Sequence, residues 1–180
     1  MNTEQKITPN PEYKSKSKDK VMAQLMDTEV ATFEDALELV QSSPTLREIK
    51  SYIDKTNLSA DVKALLYDIA KFTYKVGEKV IAIGRYVFAW ASEMAKKFPN
   101  LVLATIIALI IAALLSSTLG AITIMGKAIF AGLSALLSKL IVAAGITKGF
   151  LDDLRENAAK NEITKISSHF DALNLGVAIK

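Results

Sequence analysis

From Leu101 to Gly126 the chain reads LVLATIIALIIAALLSSTLGAITIMG, twenty-six residues without a charge, while charged side chains recur every few positions elsewhere. A helix of this composition must leave water, either into a bilayer or into a wrapping of other helices. A bilayer span needs about twenty apolar residues, whereas a core helix usually offers about ten to fourteen. The length of the run therefore predicts membrane insertion. Apolar residues make up 51% of the 180-residue chain, yet 23% are charged, an ordinary proportion, so the two populations are segregated along the sequence.

Within the run, Ala104, Ala108, Ala112, Ser116 and Gly120 recur at every fourth position. That spacing lines one helix face with small side chains and lets a second helix approach closely, as helices do where lipid is as apolar as leucine. A further apolar segment begins at Ala128, bounded by Lys127 and interrupted by Lys139. Two spans would form a hairpin over 98–147 with a turn around 116–127. Lys96 and Lys97 then share a side with Lys148 and Arg155, and the positive-inside rule places both termini in the cytoplasm. With one span, the segment after Ala128 lies in the interface with its lysines toward headgroups.

The remaining sequence divides into four blocks. Residues 1–20 hold Pro9, Pro11 and alternating lysines from Lys14 to Lys20, a composition too polar to order itself and expected to form a flexible basic arm. No apolar run opens the chain, so a cleaved secretory signal is not expected. Residues 21–58 carry seven acidic and three basic side chains and read as an acidic helical headpiece, with Thr32 as one helix cap and Ser43 before Pro44 as the next. Residues 59–97 contain no proline and read as one long amphipathic helix opened by Ser59, about 60 Å long if unbroken. Residues 148–180 return to polar amphipathic spacing and read as one or two further helices, with Glu156 and Lys160 spaced as a favourable pair.

On the long helix Lys71, Lys75, Lys79 and Arg85 share a face, and Trp90, Lys96 and Lys97 stand next to the apolar run. Aromatic and lysine side chains in that position suit headgroup depth. These seven residues are the expected contacts with lipid, and anionic lipid is favoured because six of them are basic.

Chemical motifs are scarce. With no cysteine, disulfides and zinc–thiolate sites are excluded. The carboxylates Glu34, Asp35 and Glu38 match no calcium-loop spacing and read as a solvated face. His169 is the only histidine, expected at the surface or at a cap, with no nucleophile or metal partner in a recognisable arrangement. The net charge of +3 has no basic cluster dense enough to predict nucleic-acid binding. No catalytic residue, metal or cofactor is expected.

The chain is thus expected to be all-α and non-enzymatic, with a long amphipathic helix and a hydrophobic helical hairpin flanked by short soluble helices. It is expected to associate with a membrane as an anchor or a permeabilising element, and to form homo-oligomers. From about Ser59 onward this layout resembles, in architecture alone, the pore-forming colicin domains, in which amphipathic helices enclose a hydrophobic hairpin. Channel activity is what that resemblance implies, and Lys127 and Lys139 depart from its pattern. The alternative expectation is a structural component of a larger assembly, a virion or scaffold protein, with the hairpin buried between subunits.

Overall fold

The computed structural model describes residues 20, 23, 27, 32–76, 78–117 and 123–178, and of residues 76, 123–129 and 174–178 the backbone alone. The basic arm, save Lys20, lies outside the described residues, as does Gly120 of the small-residue row.

The described chain is almost wholly helical. In order it forms α1 (Phe33–Ser42), α2 (Leu46–Asp54), α3 (Ala60–Ala70), β1 (Tyr74–Val76), β2 (Lys79–Ile81), α4 (Ile83–Lys97), α5 (Leu103–Ser116), α6 (Thr123–Ala143), α7 (Lys148–Asp153), a π-helical turn (Leu154–Ala158) and α8 (Lys160–Ala178).

Three of the first helices begin on hydroxyl caps, as the orphan amides of a first turn require. Thr32 accepts from the Asp35 amide at 3.2 Å, and Ser59 accepts from the Val62 amide at 3.4 Å. The cap of α2 is Thr45 and not Ser43: Thr45 and Glu48 form a reciprocal capping box, which satisfies two amides where a lone serine satisfies one. Ser43 instead closes α1, its hydroxyl donating to the Leu39 carbonyl at 3.3 Å.

The single long helix expected over 59–97 is two helices separated by a β-hairpin. Residues 73–81 include Thr73, Tyr74, Val76, Val80 and Ile81, the β-branched and aromatic types that favour strands, and the two-residue connection starting with Gly77 is a hairpin signal. The strands pair antiparallel, with Tyr74 opposite Ile81 and Lys75 opposite Val80. Tyr74 and Ile81 point inward, while Lys75 and Val80 face solvent. The hairpin folds α4 back across the end of α3, and the crossing is close. A Cβ on Gly84 would lie 2.0 Å from the Ile69 carbonyl oxygen, and the Gly84 amide donates to the Phe72 carbonyl at 2.9 Å. Only glycine allows that approach.

Helix α5 sits at the centre, packed against α4, α6, α8 and the start of the tail at α7. Its neighbours each bury one stripe at helical spacing. In α4 the stripe is Ile83, Tyr86, Val87, Trp90 and Met94; in α6 it is Phe130, Leu133, Leu137 and Leu140; in α8 it is Ile163, Ile166, Phe170 and Leu173. Helices α1, α2 and α3 cover α4, α6 and α8 from outside. One-sided helices around an all-apolar helix leave each polar face to water, the arrangement that removes the most apolar surface at least cost in buried polar groups.

The tail differs in detail from its sequence reading. Asp152 and Asp153 stand at the end of α7. The π-helical turn, closed by the Ala159 amide on the Leu154 carbonyl at 2.7 Å, inserts a residue and shifts the phase of the helix. Glu156 therefore does not pair with Lys160, and Arg155 reaches Asp152 at 3.6 Å instead.

Candidate functional site

The distinctive site is the sheathed helix itself. Along α5 every side chain from Leu103 to Ile111 is buried, and so are Ala113 and Leu114. Its end is chemically defined, since Ser116 donates through its hydroxyl to the Ala112 carbonyl at 2.8 Å and Ser117 to the Leu114 carbonyl at 2.6 Å. Both hydroxyls thus bond back to carbonyls of the last turns, and the Leu114 carbonyl also accepts from the Ser117 amide at 3.2 Å. The helix stops after fourteen residues, well inside the uncharged run. No single described helix is long and apolar enough to cross a membrane.

The small-residue row is divided by this packing. Ala104 and Ala108 have no exposed surface, Ala112 is half-buried, Ser116 is exposed and Gly120 lies outside the described residues. In this form the first two members face neighbours in the same chain and offer nothing to a second copy.

The predicted lipid contacts are also dispersed. Lys71 caps the end of α3, paired with Asp68 at 2.8 Å, and that hydrogen bond holds its ammonium above the usual lysine range. Lys75 and Lys79 lie on the two strands, exposed, and Lys79 stands 5.3 Å over the Phe33 ring. Arg85 is half-buried in the first turn of α4. The hairpin thus takes Lys71, Lys75 and Lys79 off any shared helix face, and the strand register puts Lys75 and Lys79 on opposite faces of the ladder. Lys96 pairs with Glu93 and Lys97 with Glu162 at 2.8 Å. Trp90, expected at headgroup depth, is only 2% exposed; in the folded form it belongs to the core, because the hairpin turns the aromatic side of α4 inward.

Sequence reasoning missed the cluster that Trp90 joins. His169 is 2% exposed, with Nδ1 hydrogen-bonded to the Tyr86 hydroxyl at 2.9 Å. The Trp90 ring meets the His169 ring edge-on at 4.9 Å, and Phe170 meets Tyr86 at 5.9 Å. The available signal was the i,i+4 spacing of Tyr86 and Trp90 beside an i,i+1 His–Phe pair on another apolar stripe, which indicates burial but not contact. Burial pushes the Tyr86 phenol well above the usual tyrosine range. The hydrogen bond and the ring contacts make this group a latch that fastens α8 to α4 beside α5. Among the described residues, no three of His, Asp and Glu converge to hold a metal ion.

The fold and this site define an all-α protein with an apolar helix enclosed by amphipathic ones. Compared with known proteins, the chain matches no family model, no curated protein and no solved structure.

Proposed function

We propose that this chain is a non-enzymatic, membrane-associated protein that keeps its most apolar helix sheathed in the folded state and gives it up to a bilayer, as an anchor or a permeabilising element. The observation that carries this reading is the mismatch between run and helix. The uncharged run extends from Leu101 to Gly126, but α5 uses only Leu103–Ser116, about 21 Å at ~1.5 Å per residue against a hydrocarbon core of about 30 Å. Continuous helix over the whole run would be about 39 Å, enough to cross with tilt. Insertion on this reading requires the sheath to open and the helix to lengthen past Ser117. If both arms cross, the termini remain together on the cytoplasmic side, and the small-residue row becomes available to a second copy.

Flotation of the full chain with vesicles, followed by a carbonate wash and a dye-leakage assay, tests the proposal. Carbonate-resistant association is expected. A detergent-free monomer that unfolds cooperatively and never floats with vesicles overturns it.

A second reading is favoured by the outer face of α6, where Ala131, Gly132, Ala135 and Ala143 are exposed. Small residues facing solvent on a helix suit close docking against another helix, which supports a structural role in a larger helical assembly. Sedimentation of a protein-only particle is the outcome that selects it.

A further inference from the structure

We infer that the elbow between α6 and α7 is the point at which the folded protein first contacts a membrane, seating in the headgroup–acyl boundary of an anionic bilayer. The inference rests on the membrane reading above and adds where contact begins, in a region distinct from the basic residues of the hairpin and α4.

The elbow has a defined backbone. Gly145 adopts φ +64°, the left-handed conformation that ends helices. The Ile146 amide donates to the Ile141 carbonyl at 2.9 Å and the Gly145 amide to the Val142 carbonyl at 3.2 Å, the two bonds of a Schellman motif. Two residues later Thr147 caps α7, its hydroxyl accepting from the Phe150 amide at 3.4 Å. Phe130–Ala143 and Lys148–Ala158 consequently meet at 110°, and together they combine the length and the apolar composition of a membrane segment, which no single described helix does.

At this bend apolar side chains are presented to solvent. Val142 is 81% exposed and Phe150 44%, with half-buried Ile146 between them. A core has no use for such exposure, whereas an interfacial wedge needs it. Exposed Lys139 and Lys148 flank the apex, and neither forms an ion pair among the described residues. Asp61 of α3 borders the same groove as Lys139 without closing to ion-pair distance. From Phe98 to Leu151 the sequence has no aspartate or glutamate. The first carboxylates beyond the elbow are already engaged, Asp152 with Arg155 and Asp153 with the Asn157 side-chain amide at 2.7 Å. An apolar apex between unpaired lysines, in a stretch from Phe98 to Leu151 without a carboxylate side chain, complements anionic phosphate at the rim and acyl chains at the centre.

The absence of native cysteine permits a direct test in the full chain. Single variants Val142→Cys, Phe150→Cys and, as a control at an exposed aromatic on α2, Tyr52→Cys are labelled with an environment-sensitive fluorophore and mixed with vesicles of phosphatidylcholine alone or with phosphatidylserine. The labels at 142 and 150 should shift to the blue and resist an aqueous quencher only with phosphatidylserine present, while the label at 52 stays aqueous. Lys139→Gln and Lys148→Gln, both at exposed sites that preserve folding, should each weaken binding about fivefold at low salt. If the unlabelled protein floats with these vesicles while the elbow labels remain aqueous and the lysine variants bind normally, the elbow assignment fails and the membrane reading stands. If the protein does not float at all, both fail. Shielding of the labels that grows with protein concentration in the absence of vesicles makes the elbow a contact between copies and overturns the assignment.

Discussion

The Tyr86 hydroxyl and the Nδ1 atom of His169 lie 2.9 Å apart, a buried bond that ties α4 to α8, the two helices that both pack against the apolar α5. Both side chains are almost fully buried, so either one left alone keeps a polar atom out of water without its partner. Tyr86→Phe should lower the urea-unfolding free energy by about 1–3 kcal/mol, the cost of stranding a buried polar group. In a double-mutant cycle with His169→Phe the two losses should be less than additive. Full additivity within ~0.3–0.5 kcal/mol would show that the contact is not energetically coupled.

Because this bond helps to hold the sheath closed, Tyr86→Phe should also raise the rate of vesicle leakage. The variant stabilises the open form relative to the closed one without touching the apolar helix. Slower leakage from Tyr86→Phe would mean that opening of the sheath is not on the route to the membrane.

Two glycines separate close packing from open surface. At Gly84 a methyl group would enter the carbonyl of Ile69, and at Gly132 the nearest atom lies on the Phe72 ring at 3.6 Å. Gly84→Ala should therefore destabilise by about 3 kcal/mol or more through forced separation of α3 from α4. Gly132→Ala, exposed in the middle of α6, should stabilise by up to about 1 kcal/mol through helix propensity. Thermal melts of both variants check the pair, and equal effects would contradict the crossing geometry.

Alkaline pH should unfold the protein through its buried phenols. Burial pushes both Tyr74 and Tyr86 well above the usual tyrosine range. A folded pKa above the unfolded one means that the unfolded chain releases these protons first, so the stabilisation is complete below about pH 10 and declines as pH rises beyond it. Melting temperature should fall steeply above that point, with tyrosinate absorbance rising in step with unfolding. Tyr74→Phe combined with Tyr86→Phe should flatten the dependence, although the double variant starts from lower stability.

The small-residue row should matter only after the sheath opens. Ala112→Leu with Gly120→Leu keeps the segment apolar but blocks close approach of another helix. Membrane association should persist while cross-linked oligomers and leakage diminish. Unchanged cross-linking would make the alanine spacing incidental.

Helical class was legible in the sequence because it is a local property. Thr32 and Ser59 are recognisable caps, the stripes of α6 and α8 repeat at helical spacing, and a run as apolar as Leu101–Gly126 must leave water wherever it goes. Those conclusions follow from hydrogen-bond geometry and from the cost of hydrating hydrocarbon, which neighbouring residues alone decide. Where the run goes was not legible, because lipid and a wrapping of other helices satisfy the same pattern. The folded chain surrounds Leu103–Ser116 with α4, α6 and α8. Only tertiary structure broke the amphipathic stretch 59–97 into α3, a hairpin and α4, since residues 73–81 fit either a strand or a helix locally and the close Gly84–Ile69 crossing exists only in three dimensions. The same turn drew Trp90 from an expected interface into the core, dispersed the basic residues that share a face in a straight helix, and brought Tyr86 to a histidine 83 residues away. Local spacing specifies which faces are apolar; the packing of distant segments decides what those faces meet.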